Sequence, residues 1–445
     1  MDYHQIRATV MGLGHFGGGV AAARWLAEQG ARVTATDLAS RAALADALAS
    51  LDSSAIDTFH LGGHREDDFR HADLVVVNPA VRPDNPFLRI ARQNGVQLTT
   101  EIGLFLENAR CSMVGVTGSN GKSTTAAMIA EILKHDGRRV WLGGNLGGSL
   151  LGNLEEIRED HWAVLELSSF QLAHLPPATV MPSIAVVTNC TPNHLDWHGD
   201  WSNYVAAKQR LLAGLPDDGQ VVLGGNLGQE EAWRRLAGKK ILELVAEDRV
   251  GSLQKPGKHN RDNALCAATA ALAAGCSQRA IDEGLRAFTG LPGRLQRIAT
   301  IDGRDFYNDT TATTPESTIA ALGALEGPVW LLAGGGEKGI DLEPLVDTIA
   351  ASACGVAFYG KVGPKLYQSL VRRSTQPESA CCATLDEALR WCWHNSRPGQ
   401  SIVLSPACTS HDQFQNFQQR GETFARLVAS LAKQRESLSD GSSDD

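Results

Sequence analysis

The chain has no Cys-x-x-Cys pair: its nine cysteines, Cys111, Cys190, Cys266, Cys276, Cys354, Cys381, Cys382, Cys392 and Cys408, are spread along its length. That distribution reads as reduced thiols rather than a disulfide framework or a zinc site. There is no excess of positive charge either, with Lys+Arg 41 against Asp+Glu 50, a net charge of −9 and a pI near 5.8. Nucleic acid is therefore not an expected partner, and any phosphate must be held by local backbone and a few cations. No run approaches the ~18 apolar residues of a membrane span. The opening "MDYHQIRATV" lacks the apolar centre of a secretory leader, so a cytoplasmic location is expected. Internal repeats and low-complexity core segments are absent as well.

What is present is an ordinary globular composition, 43% apolar and 20% charged over 445 residues, enough for two to four domains. Short apolar runs alternate with helical stretches. "ATVMG" and "RVTATD" flank a helical "GVAAARWLAEQG", and "DLVVVN" follows. "SMVGVTG", "WAVLELS" and "SIAVVTN" repeat the theme, and "PVWLLAGG", "GVAFYG" and "SIVLSP" repeat it again. This alternation predicts an α/β protein with mainly parallel sheets covered on both faces. The three clusters divide the chain into expected domains at 1–110, 111–290 and 291–433, with Gly290, Pro292 and Gly293 marking the second boundary. The Ser- and Asp-rich tail, 434–445, is expected to be disordered.

Two glycine motifs stand out. Gly12, Gly14 and Gly17 fit G-x-G-x-x-G between a strand and a helix, and Asp37 ends the next strand about 20 residues on, the dinucleotide fingerprint. Alone, the motif is open to a nicotinamide or flavin, to another nucleotide whose diphosphate uses the turn, or to tight strand–helix packing. The second motif, "GVTGSNGKST", follows the apolar strand "SMVGV" and leads into a helix with Met128/Ile132 and Ile129/Leu133 on one face. Gly118, Ser119, Asn120 and Gly121 can turn their N–H groups onto phosphate oxygens. Lys122 can reach the terminal phosphates, and Ser123 or Thr124 can hold Mg²⁺. The spacing is shorter than the general Walker pattern, yet the strand–loop–helix context predicts ATP.

Polar residues close the neighbouring strands, where α/β proteins place their sites. Glu166 ends "VLE" and is followed by Ser168, Ser169 and Gln171, while "VVTNCTPNHLDWHG" brings Asn189, His194 and Asp196. A carboxylate and an imidazole at adjacent strand ends suit a second Mg²⁺ or a nucleophile.

Taken together, "GVTGSNGKSTT", "LELSSFQL", "TNCTPNHLD", "YVAAKQRLL", "GKHNRDNALCAATAAL", "FTGLPGRL" and "LSPACTSHDQFQNFQQRG" resemble the Mur ligases of peptidoglycan synthesis, in the family's order from about residue 8 to residue 431. The final segment is most like the D-glutamate-adding members. The resemblance implies an N-terminal Rossmann-like domain for the UDP end of UDP-N-acetylmuramoyl-L-alanine, a central ATPase, and a C-terminal Rossmann-like domain for glutamate. It implies a monomeric ATP-dependent amide ligase working through an acyl phosphate, with two Mg²⁺ ions. The first glycine loop then holds a UDP diphosphate, and no nicotinamide is required.

By the same resemblance, His15, Phe16, Asp37, Asn78, Asn145 and Ser169 lie along the UDP-sugar substrate. Lys122, His194 and Lys208 are catalytic; Ser123, Glu166 and His194 hold metal; and Lys208 is carbamylated. Asn260, Asn263, Arg294 and Asp309 approach ATP, and Thr313, Lys338, Ser410 and Phe417 meet the incoming glutamate. On its own pattern, Lys208 reads as a solvated helix residue. The chain departs from the D-glutamate members at Thr311, where lysine is usual, at Gly293, where histidine is usual, and at Pro192–Asn193, where an acidic pair is usual. A neutral Thr311 leaves L-glutamate open as the acceptor, and a folylpolyglutamate-like ligase is the alternative from the wider superfamily.

Overall fold

The computed structural model describes residues 2–13, 17–51, 56–251, 253, 258–337 and 341–440, with the side chains of Asp46, Asp196, Glu316 and 434–440 left aside. The chain divides into two compact units, Met1–Phe288 and Thr289–Asp445.

The first unit carries two sheets. One contains β1 (Arg7–Met11), β2 (Arg32–Asp37), β3 (Thr58–Leu61), β4 (Leu74–Val77) and β5 (Gln97–Thr99) in the order β3-β2-β1-β4-β5, all parallel. Its order reverses between β1 and β4, so its crevice opens beyond Gly12 and Asn78. The second contains β6 (Ser112–Thr117), β7 (Val140–Gly144), β8 (Trp162–Glu166), β9 (Ile184–Val187), β10 (Gln220–Leu223) and β11 (Ile241–Leu242), again parallel, in the order β11-β10-β9-β6-β8-β7. β6 therefore lies between β8 and β9, and the three carboxyl ends share one edge. All four residues of β4 and of β9 are buried, as strands covered on both faces require.

The expected boundary at 110/111 falls inside this unit, between β5 and β6. One continuous apolar core runs from Ala8 and Val33 through Leu104, Phe105 and Leu106 to Leu165 and Val187. The helix Glu101–Asn108, capped by the Thr100 hydroxyl accepting from Gly103 N–H, supplies that bridge.

The second unit holds β12 (Gln296–Ile301), β13 (Arg304–Asn308), β14 (Val329–Gly334), β15 (Gly355–Tyr359), β16 (Glu378–Cys381) and β17 (Ser401–Ala407), in the order β12-β13-β17-β14-β15-β16. Only the β12–β13 hairpin is antiparallel. Along β14, Trp330 and Leu332 enter one core while Leu331 and Ala333 enter the other, the period-two alternation of a sheet with two covered faces. The helix Phe417–Asp440 takes in residues 434–440 of the segment set apart as a tail. Lys433, Gln434, Arg435, Glu436 and Leu438 are all good helix formers and extend the helix whose buried side is Phe424, Val428 and Leu431. The remaining tail, 441–445, lies outside the described residues.

Candidate active site

The phosphate loop begins where β6 ends. Gly118 has φ +152, and a Cβ there would stand 2.0 Å from Thr188 Oγ1; Gly121 has φ +79, and its Cβ would meet Asn263 Oδ1 at 2.2 Å. Both positions therefore need glycine for backbone conformation and for space. Gly121 caps the helix Lys122–His135 with no side-chain hydrogen bond, which leaves that N-terminus with N–H groups and a positive dipole end for an anion. The helix is anchored by Met128, Ile129, Ile132 and Leu133, all buried.

The residues after β9 hold the loop in shape. Asn120 N–H donates to Asn189 Oδ1 at 2.9 Å, Asn189 Nδ2 donates to the Asn120 carbonyl at 3.0 Å, and Thr188 Oγ1 donates to the same carbonyl at 2.6 Å. Ser119 Oγ lies 2.8 Å from the Tyr204 hydroxyl and donates to the Thr191 carbonyl at 2.8 Å. Ser119 thus braces the loop from behind. Lys122 Nζ donates to the Ser119 carbonyl at 2.9 Å. Ser123 is buried in the first turn of the helix.

Glu166, at the end of β8, is 2% exposed. Its Oε1 accepts from Asn145 Nδ2 at 3.3 Å, and Asn145 N–H donates to the Glu166 carbonyl at 2.9 Å. Its Oε2 is buried without a hydrogen-bond partner among the described residues. An unpaired buried carboxylate oxygen is costly, and a cation is one partner that could complete it. Asn145 and Glu166 are thereby joined. Ser169, one turn further, is buried and its Oγ lies 3.0 Å from His198 Nε2.

Lys208 differs most from its reading as a solvated residue. It sits on the helix Trp201–Ala213 and is 1% exposed, with Nζ donating to the Gly118 carbonyl at 2.6 Å and standing 4.7 Å from the Tyr204 ring centre. Burial pushes its amine down to about 7; the nearby Lys122 adds to that, and Cys190 and Glu166 oppose it. Tyr204 escaped sequence reasoning; the signal was its place four residues before Lys208, on the same helical face. His194 is exposed, in the left-handed conformation at φ 52, at the start of the helix Leu195–His198, with its ring 4.9 Å from Phe170. Asn260 and Asn263 lie buried on the helix Lys258–Ala273, the second of them against Gly121.

In the N-terminal crevice Asp37 Oδ2 accepts from Leu13 N–H at 2.9 Å and Oδ1 from Ala39 N–H at 2.8 Å, so this carboxylate shapes the turn. Asn78 Nδ2 donates to the Gly12 carbonyl at 3.3 Å. The tight strand–helix approach is made at Gly19, whose Cβ would stand 2.1 Å from the Gly12 carbonyl; at Gly17 a Cβ would meet nothing within 4 Å among the described residues. Gly14, His15 and Phe16 lie outside the described residues.

In the second unit Asp309 is buried after β13, accepting from Leu295 N–H at 2.9 Å and from Ser405 Oγ at 2.7 Å. Thr311 Oγ1 donates to the Gly293 carbonyl at 2.9 Å. Arg294 is exposed beside it, and Thr313 N–H donates to the Thr311 carbonyl at 2.9 Å. Ser410 is buried, and the Phe417 carbonyl accepts from Thr310 Oγ1 at 2.7 Å. Arg420, not singled out from the sequence, is fully buried and donates to the carbonyls of Cys408, Thr409 and Thr310 at 3.1, 3.1 and 2.9 Å. It ties the segment before Ser410 to the one before Thr311. Lys338 lies outside the described residues.

Three family descriptions match in succession: "Mur ligase MurD-like, N-terminal domain" over 6–100, "Mur ligase middle domain" over 116–246, and "Mur ligase, glutamate ligase domain" over 293–408. The chain belongs to the Mur ligase family. This Mur ligase is 34% identical to the UDP-N-acetylmuramoylalanine–D-glutamate ligase of Symbiobacterium thermophilum, over 96% of this chain and 99% of that one. It is 36% identical to the enzyme of the same name from Roseiflexus sp., over 96% and 98%. Among solved structures, UDP-N-acetylmuramate-alanine ligase from Thermotoga maritima superposes with a TM-score of 0.58 at 21% identity, covering 96% of this chain and 100% of that one. MurF from Acinetobacter baumannii gives 0.57 at 19%, covering 83% and 93%. At those identities the structural likeness speaks for the fold. No described helix of this Mur ligase is long and apolar enough to cross a membrane.

Proposed function

We propose that the protein joins glutamate to UDP-N-acetylmuramoyl-L-alanine at the expense of ATP, acting as a monomer in the cytoplasm. The observation that carries this reading is the end-to-end similarity to ligases of that name, N-terminal domain included, around a phosphate loop with its bracing residues in place. That N-terminal match also stands against the folylpolyglutamate-like alternative.

Amide formation needs a leaving group better than oxide. The L-alanyl carboxylate attacks the γ-phosphate of ATP, giving an acyl phosphate and ADP; the glutamate amine then attacks the carbonyl carbon, and phosphate departs. Each stage crowds anions, and fixed cations and N–H dipoles offset that repulsion. Lys122 and the amides of Gly118–Lys122 meet the phosphates, exchanging the Lys122 bond to Ser119 for one to substrate.

The donor set suits Mg²⁺: Ser123 offers a hydroxyl, Glu166 its unpaired Oε2, and His194 an imidazole. Among the described residues no group of three His, Cys, Asp or Glu side chains could hold a metal unaided, and phosphate oxygens of a bound nucleotide would complete the shell. Bound there, the ions supply charge neutralisation at the transferring phosphoryl group. Lys208, buried and with its amine lowered to about 7, is largely uncharged just above neutrality and is therefore nucleophilic toward CO₂. Its carbamate would replace a buried cation by an anion able to orient a metal.

D-glutamate is the acceptor named for the relatives. L-glutamate is the second reading. It rests on Thr311, whose hydroxyl is used on the Gly293 carbonyl where the D-glutamate members usually carry a lysine. Incubation with ATP, Mg²⁺, UDP-N-acetylmuramoyl-L-alanine and each enantiomer, followed by phosphate release and product mass, tests both. D-glutamate turnover is the expected result; turnover with L-glutamate alone changes the acceptor, and none with either defeats the assignment.

A further inference from the structure

The turn Asn78–Val81 leaves β4 at the mouth of the N-terminal crevice. Within it Val81 N–H donates to the Asn78 carbonyl at 2.9 Å, and Ala80 N–H donates to Asn78 Oδ1 at 3.0 Å. Its two outward carbonyls are gripped from the neighbouring lobe. Trp197 Nε1–H donates to the Ala80 carbonyl at 3.2 Å, and His174 Nε2 donates to the Val81 carbonyl at 2.7 Å. A carbonyl only accepts, so Nε2 of His174 carries a proton; burial pushes this imidazole down to about 4, leaving it neutral with Nδ1 bare.

The two donors belong to different helices. His174 ends the helix Ser169–His174, which starts just after Glu166, and Trp197 lies in Leu195–His198, which starts at His194. Their rings are 5.8 Å apart at right angles, and Phe170 lies 4.9 Å from both Trp197 and His194. A continuous path therefore runs from Gly12 through Asn78 and the turn to the residues beside His194.

We propose that His174 and Trp197 are positioning residues: by holding two successive carbonyls of the turn, they set the UDP-sugar crevice at a fixed distance from the phosphate loop. The idea rests on the function proposed above. A fixed span between the sites determines whether the substrate carboxylate reaches the γ-phosphate, because a small misplacement sharply reduces productive geometry. Packing alone does not require both N–H groups to point at one turn.

The test uses the full chain with Trp197→Phe, which keeps the ring and removes the donor, His174→Phe, and His174→Gln, which keeps an N–H. The KM for each of the three substrates, kcat, the melting temperature and amide hydrogen exchange at Ala80 and Val81 are measured. Each donor-free variant should raise the KM for UDP-N-acetylmuramoyl-L-alanine about three- to tenfold, the effect of one partly solvent-accessible hydrogen bond. ATP and glutamate KM should stay put, exchange at Ala80 and Val81 should quicken, and His174→Gln should recover most of the loss. Unchanged exchange and sugar-substrate KM in a folded Trp197→Phe protein would overturn the proposal, as would a parallel rise in all three KM values. If the wild-type chain does not turn over the sugar substrate, the functional reading fails, and the exchange measurement still decides the latch.

Discussion

Lys208 Nζ donates to the carbonyl of Gly118 at 2.6 Å, so a buried lysine on one helix holds the first residue of the phosphate loop. The bond links the loop proposed to take nucleotide to the amine proposed to carry a carbamate.

The titration of Lys208 has a definite sign. Its folded value of about 7 lies below the ordinary 10.5, so the unfolded chain binds more protons between those two limits. The cost of burying the ammonium is complete below the folded value and fades as pH rises toward the unfolded one. In CO₂-free buffer, stability should therefore climb across that window, and Lys208→Met should remove the climb in denaturant titrations. The same variant should lose activity about a hundredfold or more, and Lys208→Ala should be partly rescued by small carboxylates. A full-rate Lys208→Ala enzyme would remove the carbamate from the mechanism.

Glu166→Gln tests the unpaired Oε2. The amide keeps the size and an oxygen for Asn145 but loses the anionic donor. The Mg²⁺ concentration giving half-maximal rate should rise at least about tenfold, with kcat down by about a hundredfold and the melting temperature unchanged or higher. An unaltered Mg²⁺ dependence would take Glu166 out of the metal site.

Gly118→Ala should be destabilising by about 1–3 kcal/mol, since its Cβ would stand 2.0 Å from Thr188 Oγ1 in a backbone conformation that side chains rarely adopt. The rise in melting temperature on adding ATP should vanish in the same protein. Lys122→Ala, which leaves the fold alone, should lower turnover below about a tenth of wild type.

The strands β1, β2, β4, β6, β8, β9, β14, β15 and β17 were readable from short runs, and the turn at Gly118–Gly121 from its spacing, because buried parallel strands and phosphate loops impose strong local patterns. Lys208 was not: a lysine in "YVAAKQRLL" has no local mark of burial, and the carbonyl it meets is 90 residues away in sequence. Arg420 was hidden for a similar reason, since its partners are loop carbonyls, one of them on Thr310, 110 residues away in sequence. His174 and Trp197 carry no motif at all; only the fold brings them to one turn.

Thr311→Lys restores a cation beside Thr313. It should lower the KM for D-glutamate by about tenfold and leave that for ATP unchanged. No change for either enantiomer would show that this position does not face the acceptor's carboxylates.

The most direct test of the central claim follows the oxygen atoms. UDP-N-acetylmuramoyl-L-alanine carrying heavy oxygen in its alanyl carboxylate is turned over with ATP and glutamate, and the released phosphate is analysed by mass. An acyl-phosphate route transfers one heavy oxygen from carboxylate to phosphate in every turnover. Phosphate released without label, alongside normal product, would contradict the account.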